Sequence, residues 1–148
     1  MARADSDERL EVWERLLVTH ATVLAALERQ LERERGLPLS WYEVLLRLER
    51  AGGAARMQDL ARQVFLSKSG LTRLADRMEQ AGLIERRACP SDGRGTEAVL
   101  TPVGRSAFRR AAAVHLRGIE AHFSRHVRYD ELPVLRAFLD RVLAAESA

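Results

Sequence analysis

Lys68, Ser69, Thr72, Arg73, Asp76 and Arg77 crowd one short stretch of the chain, at separations that share a single face of a helix spanning Lys68 to Ala81. Leu71, Leu74, Ala75 and Met78 take the opposite face of the same helix. The chemistry of the polar face is recognition, not catalysis. A guanidinium such as that of Arg73 can hold a guanine edge with two hydrogen bonds, and Ser and Thr hydroxyls serve bases or phosphates alike. The free N–H groups of a helix N-terminus add a further place for phosphate. Ser67 is the expected N-cap of this helix, and Gly82 its C′ residue.

Short extended runs, Leu83–Ala88 and Thr96–Leu100, flank Cys89-Pro90-Ser91-Asp92-Gly93-Arg94-Gly95, whose Pro and Asp-Gly read as a hairpin turn. Arg94 therefore falls at a tip narrow enough to enter a minor groove. Upstream, Met57–Val64 reads as a short helix with Leu60, Ala61 and Val64 inward, and Phe65-Leu66-Ser67 as the tight connection to the polar helix. Leu39–Arg50 reads as another helix, with Trp41, Val44, Leu45 and Leu48 inward, and Ser40 with Glu43 forming a capping box. Two short helices, a tight turn and a hairpin make a winged helix-turn-helix.

Long helices are expected on both sides of this centre. Asp7–Arg35 carries Leu10, Trp13, Leu17, His20, Leu24, Leu27 and Leu31 in a 3-4 repeat and ends at Gly36 and Pro38. Such a helix is about 40 Å long, more than a small core needs, so it is expected to pack on a partner. After Thr101 as cap and Pro102 as first helical residue, Phe108, Ala112, His115, Ile119 and Phe123 form a second seam. A last helix, about Glu131 to Ala145, carries Leu132, Leu135, Leu139 and Val142. The expected fold is mostly α with a small β-hairpin wing. Residues 39–101 form a winged helix-turn-helix DNA-binding domain, and 1–38 with 102–148 a helical dimerisation region.

Composition narrows the function. The 148 residues are 47% hydrophobic but only 5% aromatic, which favours helices over sheets. Net charge is +3, and the excess is central: 11 basic against 6 acidic residues between Arg56 and Arg110, against 8 and 10 before it and 5 and 5 after. A basic centre suits a polyanion. One cysteine excludes an internal disulfide and a Cys-based metal cluster. The charged N-terminus is unlike a signal peptide, and no apolar run approaches the roughly 18 residues that span a bilayer. The protein is expected to be cytoplasmic, with no membrane partner. No Ser-His-Asp or Cys-His pairing, phosphate-cradling Gly loop or metal triad is evident, so neither enzyme activity nor a cofactor is expected.

The run Ser67 to Glu79, then Gly82-Leu83-Ile84 and Arg86, Asp92-Gly93-Arg94, Leu100-Thr101 and Gly104 closely resembles the MarR family over nearly the whole chain. The resemblance implies a homodimer that binds double-stranded DNA. Ser67, Ser69, Thr72 and Arg73 would lie on the DNA side of a recognition helix, Lys68 to Ala81, whose outward face also offers Lys68 and Arg77 as DNA contacts. Arg94 would be the wing arginine, Asp92 the acid that fixes the wing, and Arg86 and Arg87 strand residues near phosphates. It also implies a repressor released by a small aromatic or phenolic effector or by oxidation. Trp13, His20, Trp41 and Arg47 are the residues that could line an effector pocket. Cys89, beside Arg86 and Arg87, is a thiol that positive charge could activate, although the family's peroxide sensors carry theirs in the first helix. His115, His122 and His126 approximate helical spacing but lack a carboxylate or thiol to complete a metal set. The competing reading is a dimeric ligand- or protein-interaction module of the same fold that does not bind DNA; intact Arg73 and Arg94 argue against it.

Overall fold

The computed structural model describes residues 2–64, 66–91 and 93–147, with side chains from residue 7 onward. Asp92 and Phe65, both assigned turn roles from the sequence, lie outside the described residues. Six helices and three strands follow in the order α1 (Ala2–Arg35), α2 (Leu39–Arg50), β1 (Ala54–Arg56), α3 (Met57–Gln63), α4 (Lys68–Gln80), β2 (Ile84–Ala88), β3 (Thr96–Leu100), α5 (Pro102–His122) and α6 (Leu132–Glu146), with two 3₁₀ turns between the last two helices. The chain divides into two compact units, Met1–Leu27 with Leu116–Ala148, and Glu28–His115.

The Glu28–His115 unit has a continuous core. Val44, Leu45 and Leu48 of α2, Leu60 of α3, Leu71, Leu74 and Met78 of α4, and Ala111 and Val114 of α5 are all buried in it. Each fully buried Leu or Met contributes about 1.5 to 3 kcal/mol relative to exposure, which outweighs the helix propensity of any single residue. The sheet is larger than the expected hairpin. β3 lies in the middle, antiparallel to β2 (Arg87 opposite Glu97) and to β1 (Arg56 opposite Glu97). β1 covers the edge of β3 that a two-stranded wing would leave open.

Two local expectations are corrected. Ser40 does not cap α2: the cap position is Pro38, without a side-chain bond, and the Pro38 carbonyl already accepts from the N–H groups of Trp41 and Tyr42. Proline's fixed φ turns the chain two residues before the Ser-x-x-Glu pattern can act. The inward aromatic of α2 is Tyr42, 3% exposed, while Trp41 is only half-buried. Tyr42 stacks on Phe108 at 5.6 Å and meets the His115 ring at 4.5 Å. Burial holds the His115 imidazole below its ordinary pKa against the opposing charge of Glu43, and pushes the Tyr42 phenol up.

The other unit is unlike this. Leu10, Trp13, Leu17 and Leu24 of α1 and Leu132, Leu135, Leu139 and Val142 of α6 are all exposed, Trp13 at 54%. The 3-4 repeats thus form as helices; Leu27 and Leu31 of α1 are buried, while the seam before them and that of α6 remain open to solvent in one chain. No helix of the described residues is long and apolar enough to cross a membrane.

Candidate nucleic-acid interface

Capping fixes both ends of α4. Ser67, in extended backbone, accepts a 3.0 Å hydrogen bond from the Gly70 N–H, as its type and position require. At the other end Gly82 sits at φ 72°, in the left-handed region; its N–H donates to the Glu79 carbonyl and that of Leu83 to Met78. This paired closure ends the helix and aims the chain into β2. Between the caps, Leu71, Leu74, Ala75 and Met78 are buried, whereas Lys68, Ser69, Thr72, Arg73 and Arg77 are exposed. The Thr72 hydroxyl donates to the Lys68 carbonyl at 2.8 Å, one turn back in the same helix.

The wing is closed by two backbone bonds, Cys89 N–H to the Gly95 carbonyl (2.8 Å) and Gly93 N–H to the Cys89 carbonyl (3.0 Å). Arg94 is exposed on this loop. A groove of about 400 Å³ separates wing from helix, lined by Arg56, Lys68, Arg86 and Arg94, with Leu71 and Met57 among its apolar walls. Four cationic side chains border this one concavity, Arg86 with its charge met by Asp76 and Glu79. The groove therefore unites residues of α4 and the wing that lie more than a helix apart in sequence.

Arg86 stands differently from the other basic residues. Its Nη2 lies 2.6 Å from Asp76 Oδ1 and 2.7 Å from Glu79 Oε2, and its own N–H donates to Glu79 Oε1 at 2.8 Å. Asp76 and Glu79 are one turn apart on α4, so the guanidinium ties the helix to the first wing strand. Hydrogen bonds from the Arg86 side chain, then from its backbone, hold the Glu79 carboxyl below its ordinary pKa. Arg87 remains exposed and pairs with Glu97 across the β2–β3 ladder at 2.6 Å. At the exit of the wing, the Thr101 hydroxyl lies 2.6 Å from the Gly82 carbonyl and accepts from the Gly104 N–H at 2.9 Å. The sequence reading of Thr101 as the cap of α5 is met, and the same side chain joins the ends of α4 and the wing.

Sequence reasoning did not single out Arg56. It belongs to β1, a strand with no sequence signal, and reaches the groove only through the β1–β3 pairing. Of the four residues expected around an effector, Trp41 and Arg47 belong to the Glu28–His115 unit, Trp13 and His20 to the other. Arg47 Nε is buried without a hydrogen-bond partner, as is His115 Nδ1. Cys89 is buried, 4% exposed. Among the described residues no cluster of His, Cys, Asp and Glu has the arrangement of a metal site.

The family model described as MarR family matches residues 35–95. No curated protein matches the sequence. Among solved structures, the chain is similar to AbsC, a MarR family transcriptional regulator from Streptomyces coelicolor, at 32% identity over 95% of each chain and a TM-score of 0.87. It is similar to Sco3205, a MarR family transcriptional regulator from the same organism solved in complex with DNA, at 29% identity, 93% of this chain, 86% of that one and a TM-score of 0.84. A mutant MarR from Escherichia coli, complexed with operator DNA, has the same fold, with a TM-score of 0.79 over 93% of this chain and 96% of that one, at 20% identity.

Proposed function

Because this chain belongs to the MarR family of transcriptional regulators, we propose that it acts as a homodimer that reads a pseudo-palindromic operator, one α4 per half-site. The observation that carries this reading is the shared groove: the exposed face of α4 and the exposed Arg94 border one concavity lined by four cationic side chains. An α-helix fits the major groove of B-DNA, and an arginine on a narrow loop fits the minor groove beside it. Lys68, Ser69, Thr72, Arg73 and Arg77 make the helix contacts, with Ser67 at the phosphate-facing end. Arg94 enters the minor groove and Arg87 neighbours phosphate. Arg86, its charge met by Asp76 and Glu79, sets the angle between helix and wing. Sco3205, at 29% identity, was solved with DNA, which supports the same use of this surface.

The exposed apolar seams of α1 and α6 support dimerisation through the Met1–Leu27 and Leu116–Ala148 unit. Occupying a promoter makes the protein a repressor. Release follows from a small effector, aromatic or phenolic, whose affinity differs between the DNA-bound and free spacings of the two α4 helices.

The test is binding to a labelled duplex from the upstream region of the protein's own gene, against a random duplex, over a range of salt. The expected result is preference for the upstream duplex and a log–log salt slope of about −0.9 per phosphate neutralised. Arg94→Ala should weaken binding to every sequence about tenfold, the loss of one charge-assisted contact. A wild-type protein that treats both duplexes alike would refute operator reading. Titrating phenolic acids into the complex then tests release.

A further inference from the structure

We propose that Arg56 is the positioning residue of the wing, a clamp that closes both limbs of the Arg94 loop from a strand outside the hairpin. Arg56 occupies the cap position of α3 in extended backbone, and its side chain makes no capping bond. It turns instead toward the wing. Nη2 donates to Ser91 Oγ at 2.9 Å, on the outgoing limb, 35 residues away in sequence. On the returning limb, a β-carbon placed on Gly95 would lie 3.7 Å from Arg56 Nη1 and 3.1 Å from Cys89 Sγ. The guanidinium is therefore hydrogen-bonded to the outgoing limb and lies beside Gly95 of the returning one, with Arg94 next to Gly95 in the loop between them. The backbone bonds between Cys89 and Gly95 and between Gly93 and Cys89 close the loop on itself, but they do not fix its direction. Arg56 does, because β1 is anchored to β3 by the Arg56–Glu97 register and continues directly into α3. The wing is thus tied to the helix-turn-helix from two sides, by Arg86 through α4 and by Arg56 through α3.

The clamp itself is a property of the folded chain; its effect on duplex binding rests on the DNA reading above. The two parts are separable because Cys89, the only cysteine in the sequence, is buried beneath the same loop root. Its thiol reports opening of the root in the absence of DNA. Arg56→Ala should raise the rate at which a chromogenic aromatic disulfide labels Cys89 about tenfold, the equivalent of one charge-assisted hydrogen bond. Ser91→Ala, which removes only the acceptor, should raise it less while leaving the thermal melt in place, and so decides the matter even if Arg56→Ala folds poorly. Against the upstream duplex, Arg56→Ala should lose about tenfold in affinity, and that loss should largely vanish when Arg94 is already Ala. Arg56→Lys keeps the charge but not the planar guanidinium, so it should not restore binding.

Unchanged Cys89 labelling in both Arg56→Ala and Ser91→Ala overturns the clamp. So does full rescue of binding by Arg56→Lys, or a loss independent of Arg94, since either makes Arg56 a phosphate contact. If no protein binds duplex, wild type included, while labelling responds as stated, the clamp stands and the DNA reading falls.

Discussion

Gly104 shows how strictly a single position can be set by its surroundings. A β-carbon there would lie 1.9 Å from the carbonyl oxygen of Leu83, a backbone atom with no rotamer to yield. Gly104→Ala must push the start of α5 away from the end of α4, and overpacking of this kind is destabilising by about 1 to 3 kcal/mol. A fall in the urea midpoint with an unchanged slope is the expected readout. On the proposed reading, Arg73 and Arg94 would differ in what they read. Arg73→Ala should relax discrimination at one base pair by about 1 to 3 kcal/mol, whereas Arg94→Ala should weaken all sequences together; competition with singly substituted duplexes separates the two. Local residue chemistry was legible in the sequence where it depends on near neighbours, as with Ser67 and Thr101 as caps and Gly82 as a terminator. Tyr42 was not legible, because its burial is created by Phe108 and His115, which arrive from α5.

Among elements, the joint between α4 and β2 governs how helix and wing are presented together. Glu79 has its pKa lowered chiefly by the Arg86 side chain, from an ordinary value of 4.5. A carboxyl depressed in the folded state contributes stability that is present above its unfolded pKa and disappears as pH falls through the folded value. Thermal melts should therefore show wild type losing stability below about pH 4.5. Arg86→Met should melt lower at neutral pH and have a shallower acid dependence; an identical acid profile would mean the ion pair is not stabilising. The helices α2, α3 and α4 were readable to within a residue because Pro38, Gly52 and Gly82 punctuate them. β1 was hidden, since Ala54-Ala55-Arg56 has little strand propensity of its own and exists as a strand because β3 offers an open edge. The partners of Arg86 were hidden too: spacing along β2 says nothing about carboxylates on α4.

At the level of the whole molecule, the open seams of α1 and α6 are the largest unmet demand for burial. Large apolar side chains left exposed along both helices point to an interaction face. Leu17→Glu or Leu139→Glu should shift the protein from dimer to monomer in light-scattering chromatography, and duplex affinity should fall with it. A monomeric wild type at working concentration would remove this basis for dimer binding. The long helices were predictable from periodicity, and the length of the first, beyond what a small core needs, already pointed to a seam left for a partner. The concentration of positive charge between Arg56 and Arg110 was equally visible, and the groove gives it a location.

The Arg86 bond carries a consequence for the operator reading proposed above. On the proposed reading, the joining of helix and wing by side chains of the same polypeptide would make each protomer a finished reader that needs nothing from its mate to recognise its own few base pairs. Pairing then supplies proximity: the second reader is held at high local concentration once the first has landed. Errors in the left and right halves of the palindrome should accordingly add as free energies, and an operator with one perfect and one ruined half should retain the strength of a lone protomer.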